Sequence, residues 1–520
     1  DQPFLPCRDT TFFDLCQDTL SDNLKHQYER AWRMVMSILD TMPYPDSERE
    51  RIRGFCRYRF DRYVSSHNVI PSRVVKRLVA YVTALNGPFD PWVERRAEAI
   101  ARHKRTLSSD TVTRELQYLP AECFPGMKTI RDMNRHLHLL VLARYASLMA
   151  NVRAWSENFP SGEELRRHFA EAENKMEALD VLGRPGSTIL LLSDADGGTL
   201  YDLSLAHFFT AHGLKVIYAV KEGFYFHSPT MQDVQENDDL REALRGAHVI
   251  TNPSISKNDL LKALREWRLV VISDGTRERL NLARVSVTFS RAWKESDLVI
   301  AHGWRKRFRL IDTSVSFTRD ILCFWEDRDG FDVRFRPHDP AERKFSEAEI
   351  NALSDAIIEE MREARAKNRP VVFYSCVIGS IPGETKTATS LVNAFVGDLR
   401  KRMPEAYIIN PAEHFVEGMD GDDLMFMWER VQRSGYITVW RFQTAEDIEK
   451  GFALLGRDVP QKWIGKDSTF STGCTQEMHI AQGVLRKNPE MQIVGPAPER
   501  FFRRRSYGVG KYFDAQLASR

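Results

Sequence analysis

STILLLSDADGGTLYDLSLAHFFTAHGLKVIYAV, residues 187–220, is the stretch on which the fold turns. It opens with a short apolar run, passes through the Asp- and Gly-rich turn Ser193–Gly198, and continues as a helix-compatible segment. It then returns to a second apolar run, KVIYAV. Strand, turn, helix and strand at this spacing predict a βαβ unit whose strands are parallel and covered on both faces.

The same alternation continues outward. HVITN, RLVVIS and DLVIAHG are further short β-rich runs, separated by helical segments such as KNDLLKALREW. They predict a mostly parallel three-layer α/β/α sheet over residues 185–335. Upstream, residues 1–180 read as helical. LKHQYERAWRMVMSILDTM and SRVVKRLVAYVTAL carry apolar residues at helical spacing, and HLHLLVLARYASLMANVRAW is apolar nearly all round. Downstream of the polar, Pro-containing connection RFRPHDPAERKFS, a second β/α alternation fills 347–515. The expected class is therefore α/β, with a helical N-terminal region, an α/β domain and a second, C-terminal α/β layer.

A chain of 520 residues exceeds what one core supports and suggests about two to four domains. Net charge is +2, which gives no overall field for nucleic acid. No apolar run is long enough to span a bilayer. The opening DQPFLPCRDTTFF lacks the basic-then-apolar pattern of a signal peptide. Seven scattered cysteines without a C-x-x-C argue against a disulfide framework or zinc ribbon and fit a reducing, cytoplasmic setting.

In open parallel sheets, ligands sit beyond the carboxyl ends of the strands, where helix N-termini present free N–H groups. Asp194 lies at such an end, and Gly197 and Gly198 allow close backbone approach before the helix that follows. A carboxylate there suits a hard divalent cation able to hold a phosphate in turn. The plain alternative is a helix-capping Asp with glycines that only turn the chain. Asp196, two residues on, and Asp274 in VVISDGT are further candidate acids at the same edge.

From these residues a resemblance emerges. Ser187–Val234 and VVISDGTRERLNLARVSVTFSRAWKESDLVIAHG (270–303) resemble the damage-control phosphatases, a metal-dependent family once known as a domain of unknown function, one branch of which was described as a protein-carboxyl methyltransferase. Upstream, FLPC, GPFDPWVERRAEAI and LMANVRAWS match the family's helical part in kind and order, so the likeness covers about residues 4–330. It implies a phosphoric monoester hydrolase with a divalent cation (Mn, Co, Ni or Mg) and a small phosphorylated substrate. It also implies three ligand positions. The first falls on Asp194, the second on Ala195, and the third on Ser228, with His227 before it. A methyl and a hydroxyl do not replace two oxygen ligands of a hard cation. The family's Lys-Gly loop becomes AHGWRKRF, with His302 in the Lys position and Gly303 retained. Arg305, Lys306 and Arg307 there suit a phosphate or another anion without a metal, or else form a basic surface loop.

The C-terminal layer offers separate candidates. GSIPGETKT, residues 379–387, lacks the Lys directly after Gly that a Walker A motif needs, yet it leads into a helix with Lys386 nearby. NPAEHFVEG brings His414 to a strand end. STGCTQEMHIAQGV, read as a Gly/Thr-rich loop, contains Cys474, Glu477 and His479, a conceivable nucleophile and acid–base set or ordinary structural residues. Three readings stay open: a divergent metal-dependent phosphatase, a catalytically inactive phosphatase-fold scaffold or subunit of a larger assembly, and a different activity housed in the C-terminal layer. The expected ligand is a small phosphorylated molecule or other anion, with neither nucleic acid nor membrane as partner, and homo-oligomers or protein complexes stay open.

Overall fold

The computed structural model describes residues 7–67, 69–84, 90–108, 186–193, 198–211, 213–327, 330–339, 345–414, 416, 419 and 421–502. The chain divides into two compact units, Asp1–Pro340 and Ala341–Arg520.

Unit 1 begins with five described helices, α1 (Asp9–Leu15), α2 (Asp22–Thr41), α3 (Asp46–Ser66), α4 (Pro71–Ala84) and α5 (Val93–Leu107). Ser21 caps α2 by accepting the Leu24 amide, and a stripe of Leu24, Tyr28, Ala31, Val35 and Ile38 runs down its inner side. That stripe packs on Val74, Val75, Leu78 and Val82 of α4. Tyr28 and Tyr44 bury their rings here and donate their hydroxyls to the Val69 and Val82 carbonyls, each at 2.6 Å. The apolar segment 136–155 lies outside the described residues.

The sheet of unit 1 has seven strands in the order β3-β4-β2-β1-β5-β6-β7. Its strands are β1 (Thr188–Leu192), β2 (Lys215–Val220), β3 (His248–Ile250), β4 (Leu269–Ser273), β5 (Leu298–His302), β6 (Asp320–Asp327) and β7 (Gly330–Arg336). All pairings are parallel except β6 with β7. Alternate residues feed separate cores. Ile189, Leu191, Val216 and Tyr218 point to one face, while Leu190, Leu192, Ile217 and Ala219 point to the other. Helix α6 (Thr199–Ala211) follows β1, α7 (Met231–Glu236) and α8 (Asp238–Ala243) follow β2, and α9 (Lys257–Glu266) follows β3. Helix α10 (Val287–Glu295) follows β4 and α11 (Trp304–Leu310) follows β5. The β6–β7 hairpin, DILCFWED paired with GFDVRFR, adds two strands beyond the five runs read from the sequence.

Order decides where a ligand can enter. From β1 the chain moves to β2 on one side, and later returns as β5 on the other. The carboxyl ends of β1 and β5 therefore part at the switch point, which opens a crevice there.

Unit 2 has a four-stranded parallel sheet in the order β11-β10-β8-β9. It consists of α12 (Glu347–Ala366), β8 (Val371–Ser375), α13 (Thr385–Arg402), β9 (Tyr407–Ile409), α14 (Gly421–Gln432), β10 (Val439–Phe442), α15 (Ala445–Leu454), α16 (Thr472–Lys487), β11 (Gln492–Val494) and α17 (Pro498–Phe502). Capping boxes at Ser346/Glu349 and Thr444/Asp447 start α12 and α15. One expectation is corrected. STGCTQEMHIAQGV is not a loop but most of α16, because Ser471 caps it through the Cys474 amide and Cys474, Glu477, Met478 and Ala481 fall on one buried face. Among the described residues, no helix is long and apolar enough to cross a membrane.

Candidate functional site

The carboxyl edge of the unit 1 sheet opens into a small cleft of about 40 Å³. Ser193 closes β1, Lys221 follows β2, Asp274 follows β4, and Arg305 and Lys306 follow β5, so adjacent parallel strands deliver their next residues to one place. Ser228 from the loop after β2, Arg279 from the loop after β4, and Arg309 from α11 complete its polar wall. Five cationic side chains thus face one carboxylate among the described lining residues.

That carboxylate is already engaged. Asp274 accepts the Lys221 ammonium at 2.5 Å and the Thr276 amide at 2.8 Å, with the Thr276 hydroxyl 3.0 Å away. Lys221 also donates to the Thr276 hydroxyl at 3.0 Å. Lys221 and Asp274 are 8% and 4% exposed, so each depends on the other for charge compensation. Gly275 makes this turn at φ +74°, with Ser286 packed where a β-carbon would lie.

Lys306 reaches into the switch-point crevice from its wall. Its ammonium donates to the Ser193 carbonyl at 2.5 Å and the His302 carbonyl at 2.8 Å, the two strand-end oxygens of β1 and β5. A fixed positive charge therefore stands where carbonyl oxygens could otherwise help hold a cation. Arg309 lies beside it, donating to the Leu280 carbonyl and to the Ser72 hydroxyl. Burial first, and then the Arg279 guanidinium, pull Arg309 down to about 10. Arg279 donates to the Tyr225 hydroxyl at 3.2 Å. Glu278 turns away from the cleft and binds Arg73 and Lys76 of α4. Burial pushes its carboxyl up, but those hydrogen bonds outweigh burial and hold it below the usual range.

Of the residues singled out in the sequence, Ser228, Asp274, Arg305 and Lys306 meet in this cleft. Asp194, Ala195, Asp196 and Gly197 lie outside the described residues. Gly198 is buried at the start of α6, where its carbonyl accepts the Asp202 amide. His302 is not among the residues that line the cleft. Its ring is buried, with Nδ1 3.1 Å from Asp202 Oδ1 and its face stacked on Phe324. Gly303 adopts φ +104° and donates its amide to Phe324, so its service is to the bend between β5 and α11. The His227 ring packs edge-on to Trp92, away from the cleft lining.

A divalent cation does not fit the described donors. Asp274 belongs to Lys221, the crevice carbonyls belong to Lys306, and no group of three His, Cys, Asp or Glu among the described residues could hold a metal ion. Asp274, a candidate acid in the sequence, is held here by Lys221 and Thr276. What the sequence reading missed is Lys221, Arg279 and Arg309. The available signal was position: Lys221 is the first residue after a parallel strand buried from Val216 to Val220.

The unit 2 candidates do not assemble. The Cys474 thiol donates to the Cys376 carbonyl at 3.4 Å, and burial, followed by Glu477, pushes it well above the usual thiol range. His479 sits on the exposed side of α16 against Phe502. Cys474 and His479 thus lack the hydrogen bond a nucleophile–base pair needs. Lys386 is exposed in the first turn of α13, and the capping position carries Glu384, whose own carboxylate disfavours an anion there. His414 is partly buried beside Trp428, and burial lowers its pKa.

No family model and no curated protein matches this chain. Among solved structures, the crystal structure of a DUF89 family protein from Pyrococcus horikoshii matches at 18% identity, over 58% of this chain and 90% of that one, with a TM-score of 0.38. At that distance the likeness says nothing of activity.

Proposed function

We propose that unit 1 is a phosphatase-like α/β protein that binds a small phosphorylated molecule at the carboxyl edge of its sheet, through side-chain cations rather than a divalent metal. The observation that carries this reading is the charge of the cleft: five cations line it, and its one described carboxylate is neutralised by Lys221. Gathering like charges in a partly enclosed space is unfavourable until an anion enters. Arginine forks match phosphate oxygens two at a time, and lysines add point charge. Metal-dependent hydrolysis would have to be supplied by Asp194 and Asp196.

Calorimetry with inorganic phosphate and phenyl phosphate tests the reading. Binding is expected in EDTA, unchanged by Asp194→Ala and weakened roughly tenfold by Arg305→Gln. No binding in EDTA sinks it. Hydrolysis of phenyl phosphate that requires Mn²⁺, Co²⁺ or Ni²⁺ and vanishes in Asp194→Ala would instead establish a metal phosphatase.

A further inference from the structure

Helix α3 carries six arginines and treats them in two ways. Arg49, Arg51 and Arg53 bind Asp46, Glu48 and Glu50, each three residues back, and Arg57 binds Asp61, four residues on. Arg59 and Arg62 meet rings instead. The Arg59 guanidinium lies 5.4 Å from the centre of the Phe55 ring, and that of Arg62 lies 6.0 Å from the centre of Tyr58. Neither stands in the last turn of α3, so the helix dipole does not account for them. Helix α4 widens the same surface. Tyr81 stacks on Phe55 with ring centres 4.1 Å apart, and the Arg77 guanidinium lies 5.3 Å from the centre of Tyr63. Phe55, Tyr58, Arg59, Arg62 and Tyr63 recur at helical spacing on one face of α3. Arg59, Arg62 and Arg77 are exposed, and Tyr58 is 59% exposed. Among the described residues, the contacts of these three arginines are rings and not carboxylates.

We propose that this α3/α4 face docks an acidic protein segment, with its carboxylates on Arg59, Arg62 and Arg77 and an apolar side chain against Tyr58. A guanidinium laid over a ring keeps its N–H edges directed outward for a carboxylate fork, and it gives up little rotamer freedom when the fork forms. The positive charge of this face has no acid beside it on α3, unlike that of Arg49, Arg51 and Arg53, so complementary charge comes from a partner. An exposed tyrosine between arginines is the composition of an interface anchor. Single-stranded nucleic acid would need bare ring faces for its bases, whereas Phe55 is taken by Tyr81 and Arg59, and Tyr63 by Arg77. The face shares no residue with the lining of the sheet-edge cleft and does not depend on its reading.

Fluorescence anisotropy on the full chain tests this with three labelled probes: a peptide of Glu and Leu, its counterpart with Gln for every Glu, and an oligouridine. The Glu/Leu peptide is expected to bind, and the Gln peptide to bind roughly tenfold more weakly. Arg59→Gln and Arg62→Gln should each weaken the Glu/Leu peptide roughly tenfold, and Tyr58→Ala roughly fivefold. Arg51→Gln, which removes a guanidinium already bound to Glu48 on the same helix, should leave that affinity within about twofold. All four positions are exposed, so the unfolding midpoint and phosphate binding at the sheet edge should stay at wild-type values. Equal losses in Arg51→Gln and Arg59→Gln overturn the proposal and mark a general attraction of charge. No binding of the Glu/Leu peptide overturns it as well. Oligouridine that binds more tightly than the Glu/Leu peptide, and is lost in Arg59→Gln, overturns it in favour of a nucleic-acid surface.

Discussion

At the carboxyl edge of the seven-stranded sheet, Lys221, Arg305 and Lys306 face an open cleft, whereas at the same edge of the four-stranded sheet Gln443, Cys474 and Glu477 close over the strand ends. Both sheets place their first strand inside the order and pass to neighbours on either side, so both create a switch-point crevice. In unit 2 the protein fills that crevice itself. Gln443 accepts the Val377 amide at 2.9 Å, Trp440 donates to the Ser375 hydroxyl at 2.8 Å, and Cys474 donates to the Cys376 carbonyl. In unit 1 long cations reach the edge instead, and their charge has no matching set of acids among the described lining residues. Topology provides the crevice, and the residue after each strand decides whether it becomes a site.

The largest expected effect breaks the open edge. Lys221→Met leaves Asp274 buried without its cation and should cost unit 1 about 3–5 kcal/mol in denaturant unfolding. Adding Asp274→Asn should recover most of that loss. A wild-type midpoint for Lys221→Met would show that the pair does not hold this edge together.

The closed edge responds to pH in its own way. Burial raises the Glu477 carboxyl from 4.5 to about 7, against opposing hydrogen bonds from Ser375, Gln432 and Cys474. Folded unit 2 therefore binds this proton more tightly than the unfolded chain does. The stabilisation is complete below about 4.5, declines as pH rises and is gone above about 7. Across that window it amounts to about 3 kcal/mol, readable by hydrogen exchange of the β8 and β10 amides. Glu477→Gln should flatten the profile, and an unchanged slope in that variant would reject the assignment.

The smallest effect sharpens the contrast at a single turn. Gly275→Ala puts a β-carbon 2.6 Å from Ser286 Cβ and 2.7 Å from its backbone nitrogen, at a positive φ. A loss of about 2 kcal/mol is expected in the unfolding of unit 1, together with weaker phosphate binding, because the turn carries Asp274 and so positions Lys221. Destabilisation with phosphate affinity intact would uncouple the turn from the site.

Much of the architecture was legible along the chain. TILLLS, KVIYAV, HVITN, RLVVIS and DLVIAHG became β1 to β5, and PVVFYSCV, AYIINP, YITVWRF and MQIVGP became β8 to β11. Short apolar runs buried on both faces carry their own signal. The β6–β7 hairpin was harder to read, because acids and arginines interrupt DILCFWEDRDGFDVRFR. Helix α16 was misread because Thr472 and Gly473 resemble loop residues until Ser471 is recognised as a cap.

The sequence by itself determined the α/β alternation and the helical lead-in, since strand and helix periods are local properties of neighbouring residues. It also placed Ser228, Asp274, Arg305 and Lys306 near strand ends, where a ligand edge was expected. Only the tertiary structure decided that Asp274 belongs to Lys221, that Lys306 occupies the crevice carbonyls, and that Arg8 and Arg30 share a cavity with Arg305 and Arg309. Those relations join residues up to hundreds of positions apart. They depend on the strand order and on the packing of the helical layer, which no local pattern encodes.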